Sequence, residues 1–186
     1  MPTQGIYLTF DDGPHPKATP EILKVLQTHN VSATFFLTGQ HIAGNKSLVQ
    51  EIAGERHTLG NHGFRHSRLP AFSQEQTKME ILKTEAALRD ITPVPKKLFR
   101  PPFGFFSWNS LSGAKSLGYQ LIMWTALTGD FRQWDNSKII ATALRNLAGG
   151  NVLVFHDNER TSGRIGPIVS ECIQRIQEAG YQLEAI

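Results

Sequence analysis

Short apolar runs of strand length alternate along the whole chain with segments whose apolar residues recur at helical spacing, and no repeat, low-complexity stretch or linker interrupts them. Such a series forces parallel strands joined by crossover helices, because parallel neighbours cannot be linked by a tight turn. Seven runs read as strands: Gly5 to Phe10, Ala33 to Leu37, Thr58 to Gly60, Lys97 to Phe99, Tyr119 to Trp124, Asn151 to Phe155 and Tyr181 to Ala185. The helices between them carry end signals. Thr19 is expected as a cap with Pro20 behind it, and Ser73 with Gln76 forms a capping box. Ser107 opens a helix that stops at Gly118, Asn136 opens one that stops at Gly149, and a last helix stops at Gly180. About seven parallel strands predict an α/β fold, an irregular (β/α)7 barrel, as a single domain over residues 1–186. In such folds the chemistry sits on loops at the carboxyl ends of strands.

Composition narrows the functional classes. The chain has 186 residues, 40% apolar and 19% charged, and at that size a core buries roughly 70% of the extended chain's surface without disulfides or a structural metal. Its single cysteine, Cys172, has no partner for a bridge. A net charge of +3 and the lack of any Lys/Arg run argue against a nucleic-acid partner. No segment approaches the ~20 apolar residues of a membrane span. Met1 to Gly5 shows no apolar signal-peptide region, so the chain is expected to be processed, trimmed or never exported. The cell envelope is favoured over the cytoplasm, and a monomer is expected.

Four expected strand ends deliver ionisable groups. Asp11, Asp12, Gly13 and Pro14 follow the first strand. Adjacent carboxylates repel, which a cation or a catalytic purpose would offset, although Asp-Asp-Gly-Pro is also good turn chemistry. After the third strand, His62 and His66 stand four apart, which on one helical turn puts both imidazoles on the same side. With Asp12 they would make a two-imidazole, one-carboxylate site with positions left open for water and substrate. The His-Glu-x-x-His metalloprotease pattern has its base beside the first ligand, where this chain has Gly63, so the base must come from elsewhere and Asp11 is the nearest candidate. Arg100 to Gly104 follow the fourth strand, and Arg100 is suited to pair with a carboxylate in a dry pocket. The sixth runs into His156 and Asp157. His15, His29, His41 and His57 fit no such constellation and read as surface residues or as supports behind the site.

These residues, in this order, resemble the NodB-type polysaccharide deacetylases, carbohydrate esterase family 4, from Thr9 to about Ile186. Thr9 to Pro14 is similar to the family's first motif, which implies Asp11 as catalytic base and Asp12 as metal ligand. His62 and His66 match the second, implying the other two ligands. Arg100 to Gly104 match the third, in which the arginine steadies the base and the backbone N–H at Phe103 helps hold an oxyanion. Asp130 and Phe131 sit where the family has an aspartate tuning the catalytic histidine and an aromatic lining the groove. Leu153 to His156 resemble the fifth, implying Leu153 as a wall of the acetyl pocket and His156 as general acid. The chain departs from the family at Gly63, where a Ser or Thr is usual, and at Phe103 and Phe131, where Tyr and Trp are commoner.

The resemblance implies a metal-dependent hydrolase that removes N-acetyl groups from an N-acetylglucosamine-containing polysaccharide or oligosaccharide such as peptidoglycan or chitin. One divalent ion is implied, zinc by default for a His and carboxylate site, with cobalt, nickel or manganese as alternatives. An O-acetyl esterase acting on acetylated xylan uses the same pattern, and a non-catalytic carbohydrate-binding module is the reading from another class. Phe64, Phe105, Phe106, Trp108 and Trp134 are candidates to stack on sugar faces.

Overall fold

The computed structural model describes residues 5–93 and 96–186, so most of the N-terminal stretch read for a signal sequence lies outside the described residues. Among these described residues eight parallel strands form one sheet: β1 (Ile6–Asp11), β2 (Thr34–Leu37), β3 (Thr58–Asn61), β4 (Leu98–Phe99), β5 (Gln120–Leu121), β6 (Ala126–Leu127), β7 (Val152–His156) and β8 (Leu183–Glu184). Their order is β5-β4-β3-β2-β1-β7-β6, and β8 pairs with the start of β1. The helices are α1 (Ala18–His29), α2 (Gly39–Ile42), α3 (Lys46–Gly54), α4 (Gln74–Arg89), α5 (Trp108–Ser116), α6 (Asn136–Ala143) and α7 (Ile165–Glu178). None is long and apolar enough to cross a membrane.

β5 and β6 lie at opposite edges of the sheet yet follow each other in the chain. Leu121 and Ala126 are joined by so short a segment that the edges approach within roughly 18 Å, which curls the sheet into a barrel left open along one seam. The irregular barrel expected from the alternation is the fold. The sequence reading named seven strands because it took Tyr119 to Trp124 as one run. Strand pairing there ends at Leu121, and a short strand, β6, resumes on the far edge.

Two apolar surfaces follow from strand alternation. Leu8 and Phe10 of β1, Phe35 and Leu37 of β2, Leu59 of β3, and Leu153 and Phe155 of β7 face outward into a core completed by α1, α3, α6 and α7. Phe36, Leu98 and Ile122 face inward and pack with Ile186 into a smaller cluster. Gly60 is required beside it, since a Cβ there would stand 2.5 Å from the Phe36 ring.

Helix ends differ from expectation in two places. α1 begins after Lys17, not Thr19, because the Thr19 hydroxyl is engaged with Asp157. α6 has Asp135 at its N-terminal boundary and stops at Ala143, well before Gly149, with Asn146 at φ +56 turning the chain. The Ser73 and Ser107 boxes form, and Gly118 and Gly180 take positive φ just past their helices.

Candidate metal centre and catalytic cleft

The carboxyl ends of β1, β3, β4 and β7 open into a cleft of about 510 Å³. Asp11 ends β1, in register with His156 at the end of β7. Asp11 is 3% exposed, and its Oδ1 accepts from Arg100 Nη1 at 2.7 Å. Arg100, with no exposed surface, is held by Thr9 Oγ1 and by the carbonyls of Ile122 and Met123 in the barrel seam. Its guanidinium also lies 4.1 Å from the Phe36 ring centroid. A buried charge needs this many partners, because removing it from water costs several kcal/mol.

Asp12 stands at φ +83, a strained value for a residue with a side chain. The turn is held from β7: Asp157 N–H donates to the Asp11 carbonyl (3.0 Å), and Asp157 Oδ1 accepts from Gly13 N–H (2.9 Å). A Cβ at Gly13 would stand 2.0 Å from Asp157 Oδ2, so glycine is obligatory. Burial, then the charges of Asp12 and Asp11, push the Asp157 carboxyl well above the usual range. His41 braces the same turn by donating from Nδ1 to the Asp12 carbonyl at 2.9 Å.

Asp12, His62 and His66 each offer a ligand atom, and these atoms lie within 4.8 Å of one another. Asp12 Oδ1 is 3.0 Å from His66 Nε2 and 3.6 Å from His62 Nε2. It is buried and, among the described residues, has no hydrogen-bond donor, whereas its Oδ2 accepts from Asn158 Nδ2 at 2.7 Å. An orphaned carboxylate oxygen facing two imidazole nitrogens fits a divalent cation. His62 Nδ1 donates to the Arg100 carbonyl at 2.7 Å, which keeps Nε2 unprotonated and aimed at that point. Burial lowers the His62 pKa against the pull of Asp11 and Asp12. Burial alone would raise Asp12, but the adjacent His66 imidazole and the charges of His62, His156 and His66 hold it well below the usual carboxylate range.

One expectation is corrected here. His62 and His66 are on no helix; they flank a loop after β3 in which Gly63 has φ +77 and His66 φ +53. Nothing stands closer than 3.6 Å to a Cβ at Gly63, so glycine serves the backbone there, not the space. The loop is fixed by Asn61 Oδ1, accepting from Gly63 N–H at 2.9 Å, and by Glu80 of α4. Glu80 Oε2 accepts from the N–H groups of Phe64 (3.0 Å) and Arg65 (2.8 Å), and Oε1 from Arg65 Nε (3.0 Å). Sequence reasoning missed Glu80. Its signal was an acid on the buried stripe of α4, beside Thr77, Ile81 and Thr84.

On the opposite wall, Asp130 is 1% exposed and fully engaged. Its Oδ1 accepts from His156 Nδ1 at 2.8 Å and Phe131 N–H at 3.1 Å, and its Oδ2 from His156 N–H at 2.6 Å. Burial lowers the His156 pKa, but the Asp130 bond and charge, followed by Asp12 and Asp11, outweigh it and raise it to about 9. The imidazole is therefore charged at neutral pH.

Phe131 lines the cleft with its ring 5.0 Å from that of His156, and Phe103 lines it 4.4 Å from His66. Phe103 has φ +59, and among the described residues no acceptor takes its N–H. Leu153 is misassigned. It faces the outer core with no exposed surface, and Val154, on the same face as His156, lines the cleft instead. Of the stacking candidates only Phe105 lines the cleft; Trp124, unforeseen, joins it.

A family model for polysaccharide deacetylases matches residues 1–122. A peptidoglycan-N-acetylglucosamine deacetylase of Bacillus cereus is 35% identical over 151 residues, 81% of this chain and 55% of that protein, so the chain spans little more than half that relative's length. A chitooligosaccharide deacetylase of Bradyrhizobium is 31% identical over 157 residues, 83% of this chain and 71% of that one. The crystal structure of the Bc1960 peptidoglycan N-acetylglucosamine deacetylase superposes with a TM-score of 0.94 at 29% identity, over all of this chain and 87% of that one. On the family match and these relatives together, the chain belongs to the polysaccharide deacetylases.

Proposed function

We propose that the protein is a metal-dependent de-N-acetylase of N-acetylglucosamine-containing glycans. The observation that carries this is the orphaned Oδ1 of Asp12 beside His62 and His66, with a separate acid–base pair, Asp11 and His156, in the same cleft. Asp12, His62 and His66 would hold one divalent ion, which supplies Lewis-acid polarisation of the acetyl oxygen and lowers the pKa of a water. Zinc suits two imidazoles and a carboxylate.

Asp11 accepts the proton of the attacking water, and Arg100 fixes it in one orientation so that its second oxygen remains for that task. The free N–H of Phe103 is available to the oxyanion that develops on the acetyl carbon. His156, charged and held by Asp130, delivers a proton to the departing amine, without which an amide C–N bond does not break.

Acetate release from N-acetylglucosamine oligomers, with metal content measured on the same sample, tests the reading. Activity lost to a chelator and restored by one divalent ion is expected. Undiminished release by metal-free protein would end it.

A further inference from the structure

Each of the two adjacent acids has one oxygen engaged by a donor from another part of the chain. Arg100 takes Oδ1 of Asp11, and the Asn158 amide takes Oδ2 of Asp12, donating from Nδ2 at 2.7 Å. The first contact orients the proposed base; the second has no task in the chemistry so far. Asn158 is itself firmly placed. Its Oδ1 accepts from Arg160 N–H at 2.9 Å, so the amide is fixed at both ends with Nδ2 toward Asp12. Its backbone N–H donates to Thr161 Oγ1 at 3.2 Å, and that hydroxyl donates to the His156 carbonyl at 2.7 Å, which ties the turn to the end of β7. Thr161 has no exposed surface, and Asn158 lines the cleft.

We infer that Asn158 is a positioning residue that confines Asp12 to ligation through Oδ1 alone, and so keeps one further coordination position on the ion open. The inference rests on the metal site of the deacetylase reading and assigns a residue to it. A carboxylate grips a cation with one oxygen or with two, and the two-oxygen grip fills a position that water or substrate would otherwise take. Asp12 Oδ1 faces His66 Nε2 at 3.0 Å and His62 Nε2 at 3.6 Å. For Oδ2 to join it on one ion the carboxylate has to turn, and the Asn158 bond opposes that turn. Nothing in the backbone bracing does the same work. The contacts from Asp157 and His41 reach the main chain of Asp11, Asp12 and Gly13 and leave the Asp12 side chain free to rotate. A hydrolase that brings a water and an acyl oxygen to one ion has a use for the extra position.

The test loads the full chain with manganese and measures water-proton relaxation, which scales with the number of exchangeable waters on the ion. Asn158→Leu keeps the volume and removes the donor. A second Asp12 oxygen should then displace one water, and with three protein donors on a six-coordinate ion the enhancement should fall by about a third. The ratio of zinc to manganese affinity should drop by about tenfold, because an added carboxylate oxygen suits manganese better than zinc. Asn158→Ala carries the same test if the Leu variant does not fold. Thr161→Val loosens the same turn and leaves the Nδ2 donor in place, so its relaxation should stay close to that of the unsubstituted protein. None of these measurements uses a glycan. If the relaxation falls as expected but no N-acetylated glycan releases acetate, the inference stands and the deacetylase reading falls. Unchanged relaxation in the Asn158 variants overturns the inference whatever happens to affinity, and so does an equal fall in Thr161→Val, which would mean that Asn158 only steadies the turn. Failure of the unsubstituted protein to bind manganese or zinc overturns it together with the metal site.

Discussion

The two faces of the barrel sheet are made by the same strands and do opposite work. On β1, Leu8 and Phe10 point outward into the helical core, while Thr9 and Asp11 point inward to Arg100. On β7, Leu153 and Phe155 point outward, while Val154 and His156 line the cleft. The outer face is held by area: burying a Leu or Phe side chain stabilises by about 1.5–3 kcal/mol. The inner face is held by partners, since Asp11, Arg100, Asp130 and His62 are all nearly or wholly buried and each has a hydrogen bond that fixes its orientation. A period of two therefore separates stability from chemistry at adjacent positions of one strand. Substitutions on the two faces should fail in different ways.

The largest expected effect is at the inner end of β1. Asp11→Asn should lower turnover by roughly 10² to 10⁴, the range for loss of a general base, while metal content is retained. The fold should survive, because Asn keeps an oxygen for Arg100, which also retains Thr9 and two carbonyls. Asp12→Ala should instead release the metal. Equal loss of metal in both variants would show that the two acids do not divide the work.

Next in size is His156→Ala. An amide expels an amine that must be protonated as it leaves, whereas an aryl acetate expels a stabilised phenolate. Release of acetate from an N-acetylated sugar should drop by about 10² or more, and aryl acetate hydrolysis by much less. Asp130→Asn should show the same selectivity more weakly. By NMR of the metal-free protein it should also move the His156 titration down from about 9, because the Asp130 bond and charge are what raise it. The sign follows: the acid form exists below the pKa, so a lower pKa leaves less of it at a given alkaline pH. If His156→Ala loses both activities by one factor, this histidine does not act as the acid.

Smaller is the effect expected at the loop that presents His62 and His66. Glu80→Gln leaves one oxygen where two backbone N–H groups and Arg65 now share a carboxylate, so the loop loosens without losing a ligand. Metal affinity should weaken by about 10- to 100-fold, and kcat at saturating metal should change little. A full loss of kcat at saturating metal would mean that Glu80 touches the chemistry directly.

What was legible in the sequence follows the same division. The barrel and the ionisable strand ends could be read because apolar runs stop abruptly at Asp11, Arg100 and His156. The His62–His66 loop could not, because a four-residue spacing mimics a helical turn, and only a buried acid far along the chain, Glu80, shows that the backbone takes another path. The Tyr119 to Trp124 run failed for a different reason: its strand is interrupted where the barrel seam uses the Ile122 and Met123 carbonyls to hold Arg100. Trp124 consequently lines the cleft, where no periodicity would have placed it.

The smallest expected effect tests the face assignment itself, at two neighbours that composition cannot tell apart. Leu153 and Val154 are both apolar and both buried, so only the phase of the strand decides which one meets the acyl group. Phase runs from His156, whose side chain enters the cleft; two residues back, Val154 shares its face, and Leu153 packs among the outer core. Leu153→Ala should then cost about 2–5 kcal/mol of stability by leaving a cavity, with acyl preference unchanged in the molecules that fold. Val154→Ala removes less from the packing, but it enlarges the wall of the cleft. It should raise kcat/KM for an N-propionyl glycan relative to the N-acetyl one by about tenfold, the order of discrimination that one methylene commands in an apolar pocket. Thermal unfolding and the two-substrate ratio, measured on both variants, distinguish the faces. A change of acyl preference in Leu153→Ala with none in Val154→Ala would reverse the phase of β7 and with it the placement of His156 in the cleft.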